Sequence, residues 1–548
     1  MLDQRTHQVS RMFLVVLAIS VLSLCCVWGC GGGEEHAVTG GAPRHGGRLV
    51  IGIQQEPDLL NSILQLRKSS RLINNALFSR FVTYDDSLRL IPDLITEIPT
   101  LANGGIRADH LQYTYHLRPT ARWHDGTPLT SADVVFTWEI IMDPDAGAES
   151  QEGWDIVDRV ETPDAHTVVF HLSEPYVNFV EDTFYDEDVL PKHLLQGSRG
   201  KAFAEAAFHR QPVGSGPFRF VEWVAGSHVT LQRFDEWYGD TAMLDELVFK
   251  VVPDVTALSV QLRAGEIDGC DNADVSQLGI LQRIPQMQVF ETPSMAYTHV
   301  TLQCKGGILE DVRVRRALSW ATDRQAIVDG IFEGVAAPAA SGKLPLSEWY
   351  NAAVEEWAAY DPERARATLA AAGWVDDDGD GIRERDGKPL QLQVSTGAGR
   401  LDRERIQAVL QQQWKQIGVD LSIQNFEMNA LIDRLFEHKF DMALFGWTQQ
   451  PDPSGIQGVY GSKGPQNFGR FSNKPFDELA KKGQSTFDRS ERIEIYRQME
   501  LILAQEVPAI PLVWHHEIDV MTQRLHNFRP NPTAVGDTWN VQEWWLSN

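Results

Sequence analysis

Strand-length segments and helical segments alternate along the chain, and this alternation limits the fold more than any other feature. Residues 49–53 form a short apolar run, and 113–119 (YTYHLRP) alternates as a strand does. HTVVFHL at 166–172, residues 229–233 and residues 246–252 read as further strands. Between them lie helical patterns at 72–82 and 130–142. In the second, Thr130 and Ser131 are N-cap candidates, Asp133 sits in the first turn, and Val134, Val135, Trp138 and Ile141 make the apolar face. Later helices are predicted at 365–374, stopped by Gly373, and at 403–417, stopped by Gly418. Another spans 488–506, with Ile493, Tyr496, Met499, Ile502 and Leu503 on one side. FDMALFGW (440–447) and VPAIPLVW (507–514) read as strands, the second of them buried. Such an order gives a mixed α/β protein in more than one lobe. At about 100–200 residues per domain, 548 residues make about three domains.

The N-terminus addresses the chain to the cell envelope. Arg5 and Arg11 precede an uncharged apolar run at 13–28. That run is shorter than the roughly 20 residues of a spanning helix, and its layout is that of a secretory signal over 1–29. It ends in VWGC, where Gly29 precedes Cys30 and GGGEE follows. This ending resembles the lipobox of bacterial lipoproteins, which implies lipidation of Cys30 and a flexible tether over 30–45. Of the five cysteines, Cys270 and Cys304 are then left in an oxidising compartment. They are candidates for a disulfide, or else two free thiols.

Composition and motifs exclude several functions. With 75 acidic against 49 basic residues and a net charge of −26, the chain has no basic surface for nucleic acid. It has no G-x-S-x-G elbow, no Walker-type loop and no H-E-x-x-H. GSGPF at 214–218 lacks the third glycine of a dinucleotide fingerprint. One local motif carries chemistry. Within DDDGDGIRERDG (376–387), Asp376, Asp378 and Asp380 alternate, with the Ile382 carbonyl and Glu384 as further oxygens. That set is part of a calcium loop; the other reading is a solvated acidic hairpin. No cofactor is expected; calcium at this loop is the one candidate, and its role there would be structural. Arg313, Arg315 and Arg316 read as a solvated helix face with local ion pairs. Among sixteen tryptophans, Trp447 in FGWTQQPDPS is a candidate pocket wall.

Five stretches in one order resemble the family 5 extracellular solute-binding proteins of ABC importers, which include dipeptide-, oligopeptide- and nickel-binding proteins. They are LRPTARWHDGTPLTSADVVFTWE (117–139), DVRVRRALSWATDRQAIVDGIFEGVAAPA (311–339) and LAAAGWVDDDGDGIRERDGKPLQLQV (369–394). GWTQQPDPS (446–454) with NKPFDEL (473–479), and EVPAIPLVW (506–514), complete the set. The resemblance implies an α/β, type II periplasmic-binding-protein-like fold: two lobes with a hinge, plus an extra domain, built from discontinuous segments. Domain I would take 46–82, 212–292 and 514–548; domain II, 83–211; domain III, 293–513. It implies a monomeric receptor without enzymatic activity, anchored by lipid, that hands a solute to a membrane permease served by cytoplasmic ATPases.

The resemblance also points to ligand residues in the inter-lobe cleft. These are Gln54, Glu56, Pro57 and Asp58 after the first strand, and Trp447, Gln449, Gln450 and Asp452 after the GW pair. Peptide receptors of the family place an aspartate in the second segment, opposite the ligand's amino terminus. Here that position holds Gln450, and Asp452 follows two residues on. A di- or oligopeptide is the leading ligand expected. An oligosaccharide receptor of the same family, a chemosensory receptor and an exported carbohydrate-active enzyme are the alternatives.

Overall fold

The computed structural model describes residues 43–64, 67–183, 185, 187–533 and 536–548. The signal, Cys30 and most of the tether lie outside the described residues. Among the described residues, no helix is long and apolar enough to cross a membrane.

One eleven-stranded sheet runs through both lobes. From one end its order is Asp420–Ile423, Gln391–Ser395, Met442–Thr448, Met287–Leu302, Ala509–Thr522, Gly269–Cys270, Arg48–Ile53, Glu246–Val251, His228–Arg233 and Phe218–Val224. Ala336–Pro338 pairs with Ala509–Thr522 off this path. The long antiparallel strands Met287–Leu302 and Ala509–Thr522 cross from one lobe to the other. Their register shifts between Pro293, opposite His516, and Tyr297, opposite Trp514. Proline has no N–H to give the ladder, and a bulge follows it. Around this point the outer neighbour of the second strand changes, from Ala336–Pro338 at Val513–His515 to Gly269–Cys270 at Val520–Met521. The bulged Met295 is tied both ways: its N–H donates to the Pro532 carbonyl (3.1 Å), and its carbonyl accepts from Gln449 N–H (2.9 Å).

Two large cores flank the crossing. One joins the first strand (Leu49, Ile51) to Trp123, Phe136, Trp154 and Phe170 of the 83–211 segment and to Trp544 near the C-terminus. The segments assigned to domains I and II therefore pack on a single core and make lobe one. The second core gathers Val314, Leu369, Leu392, Trp414, Leu444 and Ile510 into lobe two. Within lobe one, Gln112–His116, Thr167–Leu172 and Val157–Asp164 form a separate antiparallel sheet in that order. The helix Ser131–Ile141 begins as its cap residues require, with Asp133 accepting from the Thr130 N–H (2.8 Å). GSGPF packs rather than binds: a Cβ on Gly214 would lie 1.9 Å from the Leu77 carbonyl, which accepts from Ser215 and Gly216 N–H.

One open alternative is decided and one expectation needs correction. Cys270 and Cys304 are free thiols. Cys270 is fully buried in a cluster with Leu258 and Val520, whereas Cys304 packs against a different cluster around Tyr496 and Met499, so no bridge joins them. The basic cluster is not a solvated face throughout, because Arg315 is 4 % exposed and hydrogen-bonds the end of a neighbouring helix.

Candidate functional site

The segment Trp447 to Asp452 leaves the end of the strand Met442–Thr448 and meets four cavities. Gly446 sets its path: a Cβ there would sit 2.9 Å from the Tyr297 carbonyl, so the strand can approach its neighbour so closely only without a side chain. Trp447, Gln449, Gln450 and Asp452 border a cavity of about 250 Å³ in lobe two, with Tyr297 and Glu500. Thr448 borders a second of about 280 Å³, whose lobe-one wall is Lys68, Arg71 and Asp271. Pro451 borders the largest, about 870 Å³, between Tyr84, His110 and Val180 of lobe one and Trp349, Phe487 and Arg489 of lobe two. Gln450, Pro451 and Asp452 border a fourth, of about 250 Å³.

That fourth cavity is rich in carboxyl groups: Glu149, Glu152, Glu181, Asp182, Glu187 and Asp452 line it with Arg71, and Arg489 and Arg492 bond Glu181 and Asp452. Burial pushes Glu181 and Asp182 up to about 7, and the nearby Asp452 charge adds to this. Asp452 goes the other way. Burial raises its pKa, but bonds from Arg492 outweigh that and leave it below the ordinary value. The pair is bidentate, Arg492 Nη1 to Oδ2 at 2.5 Å and Nη2 to Oδ1 at 3.0 Å, with both side chains about 95 % buried (5 % and 4 % exposed).

Lobe one closes onto this pair. Asn178 Nδ2 donates to Asp452 Oδ1 (2.9 Å) and Ser454 Oγ (2.5 Å), while its Oδ1 accepts from Arg492 Nη2 (2.7 Å). Arg489 donates to Glu181 (3.0 Å), and the rings of His110 and Phe487 stack with centroids 3.5 Å apart.

The sequence-derived residues fall into two groups. Trp447, Gln449, Gln450 and Asp452 come together along the cleft. Trp447 stacks on Phe468, and its buried indole N–H has no hydrogen-bond partner. Gln449 accepts from Lys343 (3.4 Å), and Gln450 is exposed. Gln54, Glu56, Pro57 and Asp58 border none of the four cavities. Glu56 accepts from Gly226 N–H (2.9 Å) and Trp223 Nε1 (3.1 Å), which hold its carboxyl below the usual range. Asp58 accepts from Ser70 Oγ (2.7 Å), Gln54 donates to the Asn272 carbonyl (3.4 Å), and Pro57 is buried. The lobe-one wall comes instead from Ser62, Ile63 and the start of the helix Lys68–Leu77. One sequence signal marks it: Lys68 and Arg71, two cations one helical turn apart in an acidic chain.

In the acidic loop, Asp376, Asp378 and Glu384 bring one oxygen each within 4.8 Å of one another, and Asp380 stands outside this group. The loop also closes on itself: Asp376 accepts from Gly379 and Gly381 N–H, Asp378 from Asp380, Asp380 from Ile382, and Glu384 from Asp377.

The fold and cleft define a two-lobed α/β binding protein of the type II periplasmic class. Residues 90–468 match the model of the bacterial extracellular solute-binding proteins, family 5. The oligopeptide-binding protein AppA of Bacillus subtilis is 29 % identical over 550 residues, 99 % of this chain and 100 % of that one. Di/tripeptide-binding protein 2 of Pseudomonas aeruginosa is 26 % identical, over 84 % of this chain and 89 % of that one. Among solved structures, Bacillus subtilis AppA in complex with a nonapeptide superposes with a TM-score of 0.69, covering 92 % of this chain and all (100 %) of that one at 29 % identity. The chain belongs to family 5 of the bacterial extracellular solute-binding proteins.

The raised carboxyls set a pH dependence. A group whose folded pKa exceeds its unfolded one stabilises the fold while protonated, and that stability is lost as pH rises toward the folded value. Glu181 and Asp182 should therefore contribute stability that falls between the ordinary carboxylate range and about 7. The measurement is the melting temperature against pH for wild type and the Glu181→Gln, Asp182→Asn double variant. The wild type should lose more on going from pH 5 to pH 8; parallel curves would show that the two carboxyls are not shifted.

Proposed function

We propose that this chain is the solute-capturing component of an ABC importer, that its solute is a di- or oligopeptide, and that it acts by binding alone. One observation carries the peptide reading. The strand Met442–Thr448 pairs with Met287–Leu302 along its whole length, but its pairing with Gln391–Ser395 on the other side ends at Ala443. The backbone beyond Ala443 is left with no strand on that side among the described residues, and it runs into the segment that meets the cavities. An extended peptide satisfies such an edge with its own N–H and C=O groups. The names of the relatives agree with this. No aspartate stands at position 450, and the carboxyl-lined cavity beside it offers acceptors to a peptide's ammonium instead.

Closure about the two crossing strands would bury the peptide and present a joint surface of both lobes to a permease whose ATPases lie in the cytoplasm. Export and a lipid on Cys30 would hold the monomer at the membrane.

Thermal-shift and calorimetric titration with peptides, oligosaccharides and metal complexes test this reading. Peptides should raise the melting temperature and be recovered uncleaved. N-acetylation of the peptide should weaken binding at least about 10-fold, equal to about 1.4 kcal/mol. A response to sugars alone overturns the peptide assignment, and recovery of a cleaved solute overturns the non-enzymatic one.

A further inference from the structure

A second acidic group lies in the wall of lobe one, behind the cavity that Thr448 reaches. Asp271 follows the short strand Gly269–Cys270, Asp519 lies on the crossing strand Ala509–Thr522, and Asp537 opens the short helical segment Asp537–Glu543. They are 8 %, 0 % and 3 % exposed. One carboxylate oxygen from each lies within 4.8 Å of the other two. Their other bonds leave oxygens over. Asp519 Oδ1 accepts from Asn272 N–H (2.9 Å), and Asp537 Oδ1 accepts from Asn531 N–H (2.8 Å). Asp271 Oδ1, Asp519 Oδ2 and Asp537 Oδ2 are completely buried and have no hydrogen-bond partner.

Buried polar atoms are nearly always satisfied, and buried like charges at this range cannot coexist without a counter-charge. The ammonium that faces the group, Lys68, is hydrogen-bonded to a fourth carboxylate, Glu517. Four carboxylates thus stand against one ammonium. Among the described residues, no histidine nitrogen or cysteine sulfur joins the group, so its ligand set is all oxygen. Oxygens at about 2.3–2.6 Å from one calcium ion lie at most about 5 Å apart, which three oxygens mutually within 4.8 Å satisfy. Asp271 also borders the 280 Å³ cavity, which provides an entry path.

We propose that Asp271, Asp519 and Asp537 bind a hard divalent cation of the calcium class, which ties the second crossing strand to the C-terminal segment and to the cleft wall. The inference is independent of which solute the cleft takes and distinct from the exposed loop at Asp376.

The test uses the whole purified chain, stripped with EDTA and titrated with calcium chloride by calorimetry and thermal unfolding, with magnesium chloride as comparison. Wild type should bind calcium and melt at a higher temperature with it. Asp519→Asn and Asp271→Asn should each lose one bound calcium per chain, and with it this rise, whereas Asp378→Ala should keep both. Because the amide removes a buried like charge, the metal-free Asn variants should fold, as near-ultraviolet circular dichroism can verify. The proposal is overturned if wild type binds no calcium, if Asp519→Asn and Asp271→Asn bind as much as wild type, or if only Asp378→Ala loses the ion. Unfolding that responds to pH but not to calcium assigns the excess charge to a shared proton and overturns it equally.

Discussion

Replacing Arg492 by methionine is expected to destabilise the protein by about 3–5 kcal/mol, the usual effect of removing one partner of a buried ion pair. Asp452 is left buried, with Asn178 and the Ser454 N–H as hydrogen-bond donors and no other cation among the described residues within ion-pair distance. The Asp452→Asn, Arg492→Met double variant should recover much of the loss, since no lone charge remains. Urea unfolding midpoints for the wild type, the two single variants and the double variant check this. Additive losses would show that the pair is not coupled. The pair also carries the Asn178 bridge between lobes, so Arg492→Met should shift the population toward open forms. A larger radius of gyration in solution scattering would report that shift. The sign with pH is opposite to that of Glu181: the depressed pKa of Asp452 gives stability that is present at neutral pH and lost as pH falls below the ordinary carboxylate range.

The second large effect lies at Arg315. Its guanidinium donates to the carbonyls of Glu506 (2.6 and 2.9 Å), Val507 (3.1 Å), Leu309 (2.9 Å) and Glu310 (3.0 Å). Two of these acceptors lie at the end of the helix Arg489–Glu506, where carbonyls lack helical partners and Val507 turns with φ +47°. Arg315→Leu orphans several buried acceptors at about 1–3 kcal/mol each, so a loss of at least about 3 kcal/mol is expected. Lysine cannot reproduce the planar fork, so Arg315→Lys should restore only part of the loss. Arg313, two residues earlier, is 48 % exposed at its side chain and pairs with Asp311, so Arg313→Ala should cost far less than Arg315→Leu. Equal losses at 313 and 315 would contradict the burial.

Local chemistry was legible where the cause was local. The cap at Thr130 and Asp133, the helix reaching Glu506 from its Asp488 cap, and the strand entering Trp447 all depend on residues within a turn of one another. The strand read at 507–514 continues to Thr522, because its second half is held by pairing with residues 287–291 and with Gly269–Cys270, far away in sequence. The family resemblance pointed to the loop at 54–58 as a ligand wall; here its carboxylates bind Trp223, Gly226 and Ser70. Arg313, Arg315 and Arg316 are alike by composition, and only the end of a distant helix makes one of them a buried cap.

By itself, the sequence determined the α/β class, the alternation of strands and helices and the family resemblance, which in turn pointed to the segment from Trp447 to Asp452. Periodicity, capping and short motifs are short-range physics, written in neighbouring residues. The tertiary structure alone decided that Asp452 is neutralised by Arg492, that the two cysteines stay apart, and that Asp271, Asp519 and Asp537 share one buried place. Each of these depends on burial and on partners 40 to more than 200 residues away, and charge and hydrogen bonding acquire their strength only where packing excludes water.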